Sequence, residues 1–341
     1  MPSASPDGLP IIKDLRDRDD TKLIIVELLF ENASALHEGR DRRLAGAEAK
    51  HQVLARPFGR HIAQPDNSHS VWKPSINGCL HEVARQEGEG DRHVDPPQAA
   101  SFAVCNAFGH ETAIAEYILM VMLVWSHRFR EIEGDFRTHS SWRPSWVHSG
   151  APHGEILGSI VGIIGLGRVG REVARRAAAF GCRVIAANRT AQEPGSGVER
   201  VFALRELDRM LPECDYVLLC TALGPETEGL IDASRLALMK RSAFLVNIAR
   251  GAVVDEDAVY AALRDRTIGG AALDVWWRYP DAAEPERRPS RHPFHELPNV
   301  IMTPHCSGWT EGMVARRWAE VAGNINRFAR GEPLQNVLVT T

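Results

Sequence analysis

The 341-residue sequence predicts an α/β fold, a doubly wound parallel sheet with helices on both faces. Three observations carry that expectation. Residues 160–180 (IVGIIGLGRVGREVARRAAAF) run an apolar strand through a glycine-rich turn and straight into a helix. From about 155 onward, near-continuous apolar segments alternate with amphipathic ones, as strands buried on both faces require. Arg250, Asp274 and His305 fall at or just after the ends of such segments, where ligands of open α/β sheets bind.

The elements follow in order. Residues 113–126 are the most apolar stretch but are shorter than the roughly 20 residues of a membrane span. They also contain Glu116, so a buried helix is expected. The strand at 160–164 leads into Gly165, Gly167 and Gly170, spaced as GxGxxG. The first glycine permits a tight turn, the second lets backbone approach a pyrophosphate, and the third lets the helix pack on the strand. Leu166, Arg168 and Val169 sit between them on the same surface, and the helix continues with Val173, Ala174 and Ala177 on its apolar face. Further strands are expected at 183–187, 215–223, 243–248, 270–275 and 300–303, with helices at 203–211, 233–239 and 256–264.

The N-terminal part is patterned differently. Strands are expected at 23–30 and 103–106, but apolar periodicity nearly vanishes between about 38 and 100. Seven of the fourteen histidines lie between 37 and 110, without metal-ligand spacing. A loop-rich divergent domain is one reading of this segment, and translation out of frame is another. The net charge of −4 leaves no nucleic-acid footprint. Six cysteines without CxxC spacing fit a reducing cytoplasm better than a disulfide scaffold or a zinc site. The opening MPSASPDGLP lacks a signal-peptide pattern, and no membrane partner is expected.

The second strand ends Ala187-Asn188-Arg189-Thr190, without the carboxylate that NAD-selective folds use on the ribose hydroxyls. Arg189 can pair with a 2′-phosphate, and Asn188 and Thr190 can add hydrogen bonds. NADP(H) is therefore favoured over NAD(H). A solvated loop arginine is the alternative.

Segments 245–263 (LVNIARGAVVDEDAVYAAL), 270–275 (GAALDV) and 297–308 (LPNVIMTPHCSG), with GIIGLGRVG at 162–170, resemble the D-isomer-specific 2-hydroxyacid dehydrogenase family. The resemblance spans roughly 101–335. It implies a Rossmann-type cofactor domain, 121–310, inserted into a smaller flavodoxin-like α/β substrate domain built from 1–120 and 311–341. It also implies a homodimer through the cofactor domain and hydride exchange between a nicotinamide and a 2-keto or 2-hydroxy acid. The chemistry itself needs a cation for the substrate carboxylate and an acid for the carbonyl oxygen. Arg250 and His305 meet those needs. By the resemblance, Asp274 lies near the nicotinamide amide, and the cofactor surface extends to Thr221, Pro225, Thr227, Ile248 and Gly308. A helix-capping aspartate is the plainer reading of Asp274.

Two departures stand out. Where the family carries a glutamate paired with its histidine, this chain has Tyr279, neutral near pH 7. His305 is then expected to have a lowered pKa unless Asp281 or Glu284 substitutes. The substrate loop is faint: Gly88-Glu89-Gly90-Asp91 is its best match, making Gly90 and Asn106 the substrate-binding candidates. Trp276, Trp277 and Trp309 could wall a cleft for bulky substrates or belong to a core or interface. Two rival functions remain open, a formate- or phosphite-type dehydrogenase and a dinucleotide-sensing protein without turnover.

Overall fold

A computed structural model describes residues 22–26, 102–142, 145–189, 193–195, 197–281 and 283–340. The poorly patterned 38–100 segment, Gly90 and Thr190 lie outside these residues. The chain divides at 109/110 and 313/314 into two compact units.

The first unit contains β1 (Lys22–Val26) and β2 (Phe102–Asn106), which pair in parallel with Ile24 opposite Val104. Cys105 and Ala107 are buried there beside Val321.

The second unit opens with α1 (Glu111–Ser126), whose Ile114, Ile118, Val121 and Met122 are buried. This is the expected apolar helix. Residues Ile118 and Leu119 pack inside their own chain, in the core that also holds Val173 and Ala177. α2 (Phe129–His139) follows and buries nothing of its own. Next come β3 (Ile160–Ile164), α3 (Arg168–Ala179), β4 (Arg183–Asn188) and β5 (Arg200–Ala203). β5 was not expected; only Phe202 of its four residues is buried, too little for a periodic signal. The helix expected at 203–211 is a single turn, α4 (Leu207–Met210), between two 3₁₀ turns. Pro212, which has no N–H to donate, follows closely and prevents a longer helix.

β6 (Tyr216–Leu219), α5 (Ala233–Leu238), β7 (Phe244–Asn247), α6 (Glu256–Arg264), β8 (Gly270–Leu273) and β9 (Val300–Met302) complete the unit. Asp232 and Asp255 cap α5 and α6 by accepting N–H bonds from the first turns. The seven strands are all parallel, in the order β5-β4-β3-β6-β7-β8-β9. Every residue of β6, β7 and β8 is buried, and two apolar cores lie on the sheet's two faces. α7 (Glu311–Arg330) runs across the unit boundary, and β10 (Val337–Thr340) then pairs antiparallel with β2. No described helix is long and apolar enough to cross a membrane.

Candidate active site

The site is built where strands of the second unit end. At the end of β3, Gly165 takes φ +99°, a left-handed conformation that glycine adopts without steric cost. A Cβ there would sit 2.8 Å from the backbone of Cys220, just after β6. A Cβ on Gly170 would sit 2.2 Å from the Gly165 carbonyl oxygen. Gly167, at the N-cap of α3, behaves oppositely: a Cβ there would meet nothing within 4 Å. The turn is tight on its protein side and open at the helix N-terminus, which has no side-chain cap. Backbone N–H groups and the helix dipole are suited to an anion at that position, so these residues fit a dinucleotide pyrophosphate. Leu166 is buried, Val169 half-buried and Arg168 exposed.

Asn188 ends β4, and its Oδ1 accepts the Leu166 N–H at 3.3 Å. Its side chain therefore braces the glycine turn. Arg189 is 79% exposed, with Nε 4.0 Å from Glu226 Oε2. Thr221 and Pro225 follow β6, while Thr227 is buried and ties the segment by donating to the Ala222 carbonyl at 2.7 Å. Ile248 is buried just past β7, and Gly308 is buried beyond His305. Asn106 ends β2 in the first unit.

Arg250 is presented by a turn after β7. Asn247, fully buried, donates from Nδ2 to the Arg250 carbonyl at 3.0 Å and accepts the Ala249 N–H at 3.0 Å. Gly251 lets this turn press on the chain after β8; a Cβ there would lie 2.3 Å from the Trp276 carbonyl oxygen. The Arg250 side chain remains exposed.

His305 follows β9 at φ +58°, a conformation that costs a non-glycine residue about 1–3 kcal/mol and persists only where its surroundings impose it. Its Nδ1 is 2.8 Å from Tyr279 Oη. The same hydroxyl oxygen accepts the Trp276 N–H at 3.4 Å. Asp281 and Glu284 both pair with Arg287, so neither takes the place of the glutamate. Burial pushes the His305 imidazolium down to about 4; the Asp274 carboxylate opposes this and the Arg250 guanidinium adds to it. Burial, rather than the tyrosine, is the leading cause.

Asp274 is 1% exposed and caps no helix. Its Oδ1 accepts from Thr303 Oγ1 at 2.6 Å and the Cys306 N–H at 2.9 Å, and its Oδ2 accepts the Ser307 N–H at 2.9 Å. Trp276 and Trp277 belong to the sheet core, donating from Nε1 to the carbonyls of Thr303 and Val254, whereas Trp309 is exposed. Asn247, Thr303 and Tyr117 escaped the sequence reading. A lone asparagine closing the apolar run AFLVN was the available signal for the first.

A parallel sheet with a glycine turn, an arginine and a histidine at its carboxyl edge defines a dinucleotide-dependent α/β oxidoreductase. The chain belongs to the D-isomer specific 2-hydroxyacid dehydrogenase family, whose NAD binding domain it matches over residues 119–307. Mitochondrial formate dehydrogenase 2 of Oryza sativa subsp. japonica is 34% identical over 266 residues, 76% of this chain and 67% of that protein. Glyoxylate reductase of Korarchaeum cryptofilum is 33% identical over 262 residues, 75% of each. Among solved structures, the NADPH-dependent glyoxylate/hydroxypyruvate reductase of Sinorhizobium meliloti, in complex with NADP and sulfate, is similar at a TM-score of 0.59. It is 28% identical, over 71% of this chain and 73% of that one. The family is one of NAD(P)-dependent oxidoreductases, and this chain is one of them.

Proposed function

We propose that the chain reduces a 2-keto acid with NADPH, with His305 as proton donor and Arg250 as the grip on carboxylate and carbonyl. The carrying observation is His305 held by Tyr279 after β9, close enough to the Arg250 guanidinium for that charge to depress its pKa. When bound, the nicotinamide supplies the hydride to the carbonyl carbon. Arg250 fixes the substrate through two parallel N–H bonds, and His305 delivers a proton from Nε2 to the carbonyl oxygen. In oxidation the neutral imidazole takes that proton back. Tyr279 holds the ring by its Nδ1, and Asp274 is the proposed neighbour of the nicotinamide amide. Thr221, Pro225, Thr227, Ile248 and Gly308 complete the proposed cofactor surface.

The neutral partner at 279 also favours a second reading, oxidation of formate or phosphite, which needs no proton donor to a carbonyl. Following NADPH and NADH absorbance with a panel of 2-keto acids, and NADP⁺ and NAD⁺ with formate and phosphite, separates the two. Cofactor binding without turnover on any of them identifies a sensor instead.

The preference for NADPH rests on Arg189, exposed beside Glu226 and with no acidic residue at the end of β4. Replacing Arg189 by Ala is expected to weaken NADPH binding by about tenfold, the value of one charge-assisted hydrogen bond, and to leave NADH unchanged. Equal losses for both cofactors in fluorescence titrations would refute it.

The Tyr279→Glu variant tests the histidine. With a pKa of about 4, His305 is protonated in roughly one molecule per thousand at pH 7. A carboxylate at Nδ1 favours the charged ring, so the reductive pH–rate limb moves to higher pH, by roughly one to three pH units. Superimposable profiles for the two enzymes would sink the assignment.

A second copy of the chain is the proposed partner, in a cytoplasmic homodimer. Support comes from the apolar side chains of Met120, Phe129, Phe136 and Trp142, which α1, α2 and the loop after α2 leave exposed. The cytoplasmic placement rests on the sequence, whose six cysteines lack CxxC spacing. A monomeric mass in sedimentation would exclude the dimer.

A further inference from the structure

The geometry points to Tyr117 and Thr303 as positioning residues for His305. A hydrogen-bonded chain running from α1 through Thr303 to Asp274 clamps the loop that carries the imidazole. The inference rests on the reading of His305 as proton donor.

Five hydrogen bonds make the clamp. Tyr117 Oη lies 2.7 Å from Thr303 Oγ1, and Thr303 Oγ1 donates to Asp274 Oδ1 at 2.6 Å. Because the threonine proton goes to the carboxylate, the tyrosine must be the donor of the first link. Burial raises the Tyr117 phenol well above its ordinary pKa, which keeps that proton in place. Asp274 then accepts the backbone N–H groups of Cys306 and Ser307, the two residues immediately after His305. The Thr303 carbonyl, two residues before His305, is held by Trp276 Nε1 at 2.9 Å.

His305 is thus fixed on both sides, and it needs to be. A histidine at φ +58° reverts to an ordinary backbone conformation unless neighbouring contacts over-determine it. Buried, fully satisfied polar networks provide that kind of rigidity, since breaking one link leaves its partners unpaired. Tyr117 is 8% exposed and Asp274 1%, so both partners of the half-buried Thr303 hydroxyl are themselves shielded from water. Tyr117 and Thr303 act on the reacting proton only through the loop. The signature is therefore loss of turnover without loss of binding.

The test compares Thr303→Val, Thr303→Ser and Tyr117→Phe in the full chain. Without cofactor, hydrogen exchange at the Cys306 and Ser307 amides is expected to speed up in Thr303→Val and Tyr117→Phe but not in Thr303→Ser. In turnover, Thr303→Val is expected to lower kcat by about ten- to a hundredfold, the worth of a hydrogen bond to a charged group. Tyr117→Phe should cost about threefold to tenfold, as a neutral link does. Thr303→Ser keeps the hydroxyl and should stay near wild type. The KM for the keto acid and the Kd for NADPH should hold within about twofold throughout. If Thr303→Val does not fold, Tyr117→Phe and Thr303→Ser carry the comparison. Unchanged exchange at 306–307, unchanged kcat, or kcat and KM deteriorating together with serine failing to rescue would each overturn the clamp. Full activity in a His305→Gln variant would instead overturn the reading of His305 itself.

Discussion

Replacing His305 by glutamine is expected to cut kcat by roughly 10²–10⁴, the usual contribution of a positioned general acid–base group. NADPH affinity should stay within about threefold. Glutamine keeps comparable bulk and can still bond Tyr279 Oη, but it cannot pass a proton to a carbonyl oxygen. Because the side chain is held by Tyr279 at Nδ1, the substitution removes chemistry more than architecture. The measurement is steady-state turnover beside a fluorescence titration of cofactor. A variant that reduces 2-keto acids at the wild-type rate would show that the proton comes from elsewhere.

Gly170→Ala is expected to be damaging by a purely steric route. The new methyl would lie 2.2 Å from the Gly165 carbonyl oxygen and 3.2 Å from Ile163 Cγ2. One partner is backbone, so the clash is relieved only by moving α3 off the end of β3. Overpacking of this kind costs about 1–3 kcal/mol of stability. Because the displaced element is the helix N-terminus proposed to hold the pyrophosphate, NADPH and NADH should both bind at least about tenfold more weakly. Gly167→Ala is its control, since a Cβ there meets no protein atom within 4 Å. Thermal melts that match wild type for Gly170→Ala would refute the account.

The sheet was legible in the sequence wherever strands are buried on both faces. IVGII, YVLL, GAAL and the FLV of FLVN read as apolar runs because unpaired polar residues have no place between two helical layers. RVFA failed to register as a strand because only one of its side chains is buried. α2 failed because it buries no residue and so imposes no pattern. At the candidate site, Arg250, Asp274 and His305 could be singled out by their positions at strand ends, and Tyr279 by standing where the family carries a glutamate. Their bonds could not. Asn188 points back to Leu166 of the glycine turn, a contact between residues 22 apart in sequence. Tyr117 meets Thr303 across 186 residues, and a tyrosine within an apolar helix looks like any other core residue. Such links are set by how helices and strands stack, which local patterning does not encode.

The half-buried His305–Tyr279 pair sets how the proposed reduction responds to acidity. In the role proposed for His305, a proton donor titrating near pH 4 is far from half-saturation anywhere in the neutral range. Its protonated fraction, and with it the reductive kcat/KM, therefore scales in simple proportion to hydrogen-ion concentration, tenfold per pH unit. Oxidation, which starts from the neutral ring, is already on its plateau. A glutamate at position 279 would bring the donor's midpoint nearer neutrality and flatten that response. In that proposed role, desolvation of a ring with no carboxylate on Nδ1 makes proton concentration act as a co-substrate of the reduction.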